Sequence, residues 1–415
     1  MGRIQTASVI PGFRHASLSV LALTLTFLGC QTEAERSGSV VRDSAGVEIV
    51  ENSDFAWPDG QGWRLASQPV LDIGAIDTDP NQQLFQVVGA LRLSDDRIVI
   101  ANSGTGELRF YDISGRFISK SGRKGGGPGE FQGLRWLGRT GADSLLAFDW
   151  RTRRLSIFDP AGNFVRSVTL DALAPAPPSH IYVGLFGDGS LMIGAQRLFA
   201  AGTIQSGVHS DTIFHLRFDS RGLTHDTIGR HPGAESYILV HDGGLELVPL
   251  PFGRTPRTAV YQSAYYFGRG DSYAIDLYSA AGKLTRSIRN RKPNERVTVD
   301  DRRRYIERSL EGIDDDDERR VIESLISDIP FPATMPVYAE LRLDSEGYLW
   351  VEDYRKAGDE RPRWTVFDPS GRMLGMVEMP DRFTIHQIGP DFVLGSGKDE
   401  MDIEHVRLYE LIKPR

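Results

Sequence analysis

Leu108-Arg109-Phe110-Tyr111-Asp112-Ile113-Ser114-Gly115-Arg116-Phe117-Ile118 reads as two alternating strands joined by an aromatic-Asp-x-x-Gly turn. Period-two alternation turns one face of each strand inward, while Asp and Gly supply the turn's side-chain hydrogen bond and its positive φ. The unit returns at 155–165, 216–223 and 364–374, and with Ser in place of Asp at 276–284. Its glycines, Gly115, Gly162, Gly222, Gly282 and Gly371, lie 47, 60, 60 and 89 residues apart. Two further strand-like runs precede each copy, as at 133–139 and 144–149 before the second and 337–344 and 348–352 before the fifth. Four strands per repeat at this spacing predict an all-β propeller.

Five copies define five blades. A sixth assembles from 383–388, 391–397 and 403–411, three strands that reach the end of the sequence, and 63–73 can supply its missing outer strand. Pairing the N-terminal and C-terminal segments in this way removes open sheet edges. Six blades are therefore expected, with seven as the alternative. Asp43-Ser44-Ala45-Gly46 followed by Val47-Glu48-Ile49-Val50 reads either as one more hairpin or as the closing segment. Residues 299–328 interrupt the rhythm as a helical hairpin. Thr298 can cap the first helix, which carries Tyr305, Ile306 and Leu310 at helical spacing; Val321, Ile322, Leu325 and Ile326 share a face of the second. The insertion joins the outer strand of one blade to the inner strand of the next, so it lies at the mouth of the channel, as a lid or as a strap over apolar core.

Composition limits the function. The 415 residues carry 48 Lys+Arg against 56 Asp+Glu, a net charge of −8, which argues against nucleic-acid binding. Residues 1–29 hold Arg3 and Arg14 and no acid, and 16–28 is an apolar run too short to span a bilayer. The run ends Phe27-Leu28-Gly29-Cys30, and Cys30 is the sole cysteine. This resembles the bacterial lipobox, although Phe27 stands where Leu is usual. The resemblance implies a signal peptide over 1–29, a lipidated Cys30, a tether over 30–42 and a propeller domain over 43–415. Gln31 in place of Asp points to the outer membrane where the source has two. Membrane attachment is expected through the lipid alone, and the chain is expected to be monomeric. Without a second cysteine no intramolecular disulfide can form, so apolar packing must supply the stability.

Gly125-Gly126-Gly127-Pro128-Gly129-Glu130-Phe131, with a worn copy at 229–235, precedes Asp149-Trp150-Arg151-Thr152-Arg153-Arg154-Leu155-Ser156-Ile157-Phe158. Together these resemble the NHL repeat, whose Gly-Pro-Gly-x-Phe linker leads into Asp-x-x-Asn-x-Arg-Ile-x-x-Phe. Asp149, Arg154 and Phe158 match, Thr152 replaces the Asn, and blade one departs further with Asn102 and Glu107. Over 43–415 the chain resembles the bacterial six-bladed β-propeller lipoproteins. That resemblance implies a fold and leaves the activity open, since propellers carry many unrelated functions.

Chemical motifs are sparse. Gly395-Ser396-Gly397-Lys398-Asp399 lacks the glycine spacing and the Ser/Thr of a phosphate loop, and there is no Gly-x-Ser-x-Gly elbow. His209, His215, His225, His231 and His241 show no metal-ligand spacing and read as solvated loop residues. Asp314–Asp317 read as a helix cap rather than a calcium loop, and no cofactor or metal is expected. Inner strands such as 133–139 show no recurrent Asp or Asn for a cation ring.

Loops predicted on the mouth face are rich in Arg and aromatics, the composition of binding hot spots. Arg123, Lys124, Asp149, Trp150, Arg151, Arg153, Tyr354 and Arg355 are the candidate partner-binding residues. The function expected is rigid presentation of this face to a protein or an acidic glycan. The alternative is a lyase, lactonase or glycan-cleaving enzyme, which requires paired carboxylates or a cation in the channel.

Overall fold

A computed structural model describes residues 34–36, 38–74, 79–171, 180–196, 205–219, 221, 225–241, 244–356 and 361–414. The expected signal peptide and Cys30 lie outside these residues. Six sheets surround one axis, and within each blade the consecutive strands run antiparallel from the axis outward, with N-terminal strands added on the outer edges of blades four and six. Blade one comprises Val87–Arg92, Ile98–Asn102, Glu107–Tyr111 and Phe117–Ser121. Blade two follows with Leu134–Arg139, Leu145–Asp149, Arg154–Phe158 and Phe164–Thr169. Blade three has His180–Leu185, Leu191–Gln196 and two long strands, Gly207–Phe218 and His225–His241, and adds Gly244–Pro249 as a fifth. Blade four is built from Arg257–Tyr261, Ala264–Gly268, Ala274–Ser279 and Leu284–Asn290. Blade five contains Tyr338–Leu343, Leu349–Asp353, Arg363–Phe367 and Met373–Glu378. Blade six has Phe383–Ile388, Phe392–Lys398 and Glu404–Ile412. The count settles on six, not seven.

Six apolar clusters fill the six blade-to-blade interfaces. Each second strand serves two of them: Ile98 and Ile100 face blade six, while Val99 and Ala101 face blade two. That double burial explains why Ile-Val-Ile-Ala and Leu-Leu-Ala-Phe lack a polar alternation. The repeated turn behaves as expected. Asp112 Oδ1 accepts from the amides of Ser114 and Arg116, both at 3.0 Å, and Gly115 sits at φ 82°. Asp159 and Asp368 repeat the arrangement, and Ser279 Oγ does the same at 3.3 and 3.2 Å in the Ser variant.

The outer strand of blade six comes from the other end of the described chain. Leu71–Ile73 pairs with Glu404–Ile412 in the register Ile73 to Val406, and Arg64–Leu65 pairs with the same strand further along. The 43–50 segment does something else. Ser39–Ser44 and Val47–Asn52 form a hairpin whose turn, with Ala45 at φ 55° and Gly46 at φ 80°, suits two residues in the left-handed region. Its second strand lies parallel to Leu284–Asn290 on the outer edge of blade four. Thus the hairpin option holds and the closing option does not, and strand begins inside the stretch expected to be a tether. Asn52 pins the strap to blade five, donating to Gly371 O at 3.1 Å and accepting from the Met373 amide at 2.8 Å. The worn linker copy at 229–235 is likewise strand, within the outer part of blade three.

Helices α1 (Val299–Ser309) and α2 (Asp316–Asp328) form the insertion. Thr298 and Asp301 make a reciprocal capping box on α1, and Asp315 accepts from the amides of Asp317 and Glu318 at the start of α2. Tyr305 packs against Phe252 and Phe331, with ring centroids 5.6 and 5.8 Å away, which straps α1 to the linker entering blade four. Among the described residues no helix is long and apolar enough to cross a membrane.

Ile73 is completely buried in the closing strand, whereas nearby Val70 is 63% exposed. Ile73→Ala is expected to lower unfolding free energy by about 2–5 kcal/mol. Val70→Ala should leave it within about 0.5 kcal/mol, both read from chemical denaturation.

Candidate functional site

The sequence-selected residues fall into two clusters at the mouth. In the first, buried Asp149 accepts from four backbone amides: Gln132 at 2.6 Å, Gly133 at 2.9 Å, and Arg151 and Thr152 at 3.0 Å. Its carboxylate is thereby consumed in holding the loop against the glycine-rich linker. Arg154 reaches the same linker through the carbonyls of Gly126 and Glu130, not through an ion pair. Arg123 pairs with Glu130 at 2.6 Å, and Lys124 bridges the backbone of Phe131. The Gly127 amide, with Arg123 second, holds the Glu130 carboxyl below its usual range. The Arg151 guanidinium lies 5.5 Å from the Trp150 ring centre, and Arg153 takes the left-handed backbone at φ 53°.

The second cluster lies on blade five, three places round a ring of six and so on the opposite side of the mouth. Arg355 pairs with Asp381 at 3.0 Å and Lys356 with Glu295 at 2.6 Å. Tyr354 is half-buried, and burial raises its phenol. These residues, with Arg304 and Arg308 of α1 and Arg382 of blade six, wall a cleft of about 1000 Å³. The insertion is therefore both a strap and one side of this cleft.

A third feature escaped the sequence reading. Residues from all six innermost strands or their immediate approaches line a central channel of about 500 Å³. In blades one, two and five that strand carries a register shift after its first residue, and in blade six after its third, which leaves Val88, Arg135, Ala339 and His386 as the extra residues. A bulge re-aims the side chain it adds. Arg135 and His386 consequently line the channel, with Arg257, Glu340 and Arg342. Arg257 sits 3.6 Å from Glu340. Neither Arg135 nor Arg342 forms an ion pair among the described residues, and the buried Arg342 Nε finds no acceptor among them. His386 Nε2 lies 2.8 Å from Ser396 Oγ; burial first, and the Arg342 charge second, push its imidazole down to about 3. The channel wall thus carries three guanidiniums, one carboxylate and a neutral imidazole. A search for Arg anywhere in the inner strands, rather than for recurrent Asp or Asn, would have found it.

Glu340 also stands opposite Glu352 on the next strand. Burial raises the Glu352 carboxyl; Arg355 opposes the rise and Glu340 adds to it. Among the described residues no group of three His, Cys, Asp or Glu side chains is placed to hold a metal.

The histidine reading needs correction. His215 is fully buried within a strand of blade three, with its ring 5.0 Å from that of His231 and 5.2 Å from that of Tyr265. These two belong to the interface with blade four rather than to solvated loops, because the long strands carry them inward.

The family model described as a 6-bladed beta-propeller matches residues 76–135, less than half of the chain. No curated protein matches the sequence. Among solved structures, a protein of Bacteroides fragilis described as a putative exported protein is 13% identical, with 88% of this chain and 100% of that one covered at a TM-score of 0.47. A member of the duf4221 family from Bacteroides vulgatus is 11% identical over 85% and 99%, at 0.48. A gluconolactonase from Xanthomonas campestris is 11% identical over 86% and 99%, at 0.42. Likeness at this level says nothing about activity.

Burial, with a smaller contribution from His231, holds the His215 imidazole down at about 3. The unfolded chain takes up that proton near 6.5, so the stability is fully present above pH 6.5 and is lost as pH falls toward 3. Each such histidine contributes a slope of up to about 1.4 kcal/mol per pH unit in that window. Denaturation midpoints should therefore drop between pH 6.5 and 4, and His215→Gln should flatten the fall.

Proposed function

We propose that this chain is a lipid-anchored propeller of the bacterial envelope that binds a protein or an acidic glycan through the face where its channel opens. One observation carries the reading: the channel wall sets three guanidiniums against one carboxylate, its Arg135 and Arg342 have no ion pair among the described residues, and it opens beside a cleft where five cationic side chains stand among four carboxylates. Guanidiniums suit carboxylate and phosphate groups, and a rigid ring loses little ordering entropy when it binds. Arg123, Lys124, Trp150, Arg151 and Arg153 form the far side of the same surface, with Asp149 holding their loop in place. The anchor rests on the apolar run that ends at Cys30.

Polygalacturonate and a polyglutamate peptide serve as anionic probes. Arg308→Glu with Arg355→Glu is expected to weaken binding of at least one probe tenfold or more, about 1.4 kcal/mol. Arg151→Glu should weaken it less, and Arg116→Glu, in a turn on the opposite face, should have no effect. Unchanged binding in the mouth variants would move the site off this face. The enzyme alternative draws on the facing carboxyls of Glu340 and Glu352. It would gain support if the wild type shortened polygalacturonate and Glu340→Gln did not; under the binding reading the polymer keeps its length.

Cys30→Ala should release the protein from the membrane fraction. Membrane retention in that variant would contradict the lipid anchor.

A further inference from the structure

We propose that the central channel holds a carboxylate-bearing sugar of the uronic-acid class, its carboxylate between Arg135 and Arg342 and its ring against Trp136. This deepens the reading above and rests on it, since it names the unit of an acidic partner that would enter from the mouth.

Arg135 and Arg342 come from blades two and five, so they approach the axis from opposite sides, and neither has an ion pair among the described residues. The one carboxylate on the wall, Glu340, is 3.6 Å from Arg257 and so does not neutralise the other two. A buried guanidinium N–H without an acceptor is a costly arrangement, and a carboxylate seated at Arg342 would satisfy it. Neutral His386 adds no charge, and as a ring already engaged with Ser396 it does not compete for the anion.

Size and lining then select the ligand. A channel of about 500 Å³ is far larger than a bare inorganic ion and falls within the range of small-molecule sites. Half-buried Trp136 offers an aromatic surface for the apolar face of a sugar, and Thr255 and Thr384 offer hydroxyls for its hydroxyl groups. A bare phosphate would use the guanidiniums and leave the rest of this lining idle.

Calorimetric titration of the full chain with galacturonate, galactose and inorganic phosphate tests the assignment. Galacturonate should bind, and galactose, which lacks the carboxylate, should bind at least tenfold more weakly. Arg342→Met and Arg135→Met should each cost tenfold or more, while Arg116→Glu, in a turn on the opposite face, should leave galacturonate binding unchanged. Trp136→Ala should weaken galacturonate and spare phosphate. A retained cooperative thermal transition checks that each variant is folded, its midpoint lowered in Trp136→Ala because Trp136 also packs against the apolar cluster between blades two and three. Arg135, exposed in the channel and without an ion pair among the described residues, provides the test if Arg342→Met does not fold. Equal affinity for galactose, arginine variants without effect, or phosphate binding as tightly as galacturonate with Trp136→Ala harmless to both would overturn the proposal. No binding of galacturonate would overturn it too. Polygalacturonate binding that survives in that case, and is lost in the Arg308→Glu/Arg355→Glu variant, would leave the mouth reading standing.

Discussion

This ring of six sheets is closed by completing its last blade with a strand from the start of the ring. Leu71–Ile73 does this, and polar groups fix its register: Asp72 meets Arg407 at 3.0 Å and His405 at 2.8 Å across the same pair of strands. Glu404, one end of the partner strand, accepts from the amide of Val87 at 2.8 Å and so ties the closure to the first inner strand of blade one. At Gly74 the chain leaves the closing strand at φ 139°, where a Cβ would come within 2.4 Å of the Glu404 carbonyl. Closure thereby fixes how the inner strands converge, and that convergence creates the channel.

The chemistry of the channel follows from a backbone irregularity. Inner strands of four blades are bulged, three of them after the first residue, and a bulge shifts which residues face inward. In blades two and six the extra residues are Arg135 and His386. The ring thus places charged and titratable groups on its axis by geometry, while the apolar clusters between blades stay intact. Rigidity comes from those clusters, and so does the neutrality of buried His215, since burial dominates its shift.

Much of the fold was legible because its signals are local. The Asp112, Asp159 and Asp368 turns satisfy amides two and four residues onward, so a short stretch of sequence specifies each one. Even the closing strand could be inferred, from the deficit of one strand in blade six. The docking of 47–52 could not, since its partner Leu284–Asn290 lies more than 200 residues away and parallel pairing leaves no turn signature. Asp149 was selected for the right loop, but its four amide contacts give it a holding role that composition does not reveal. Arg135 and Arg342 were missed because a one-residue bulge reverses the inside and outside of a strand, and alternation alone cannot show where one occurs.

If the axis of this ring is an anion site, a crystal structure grown with selenate will show an anomalous selenium peak between the Arg135 and Arg342 guanidiniums, within hydrogen-bonding distance of both. A channel without that peak, with Arg342 folded onto Glu340 or Glu352, would contradict it.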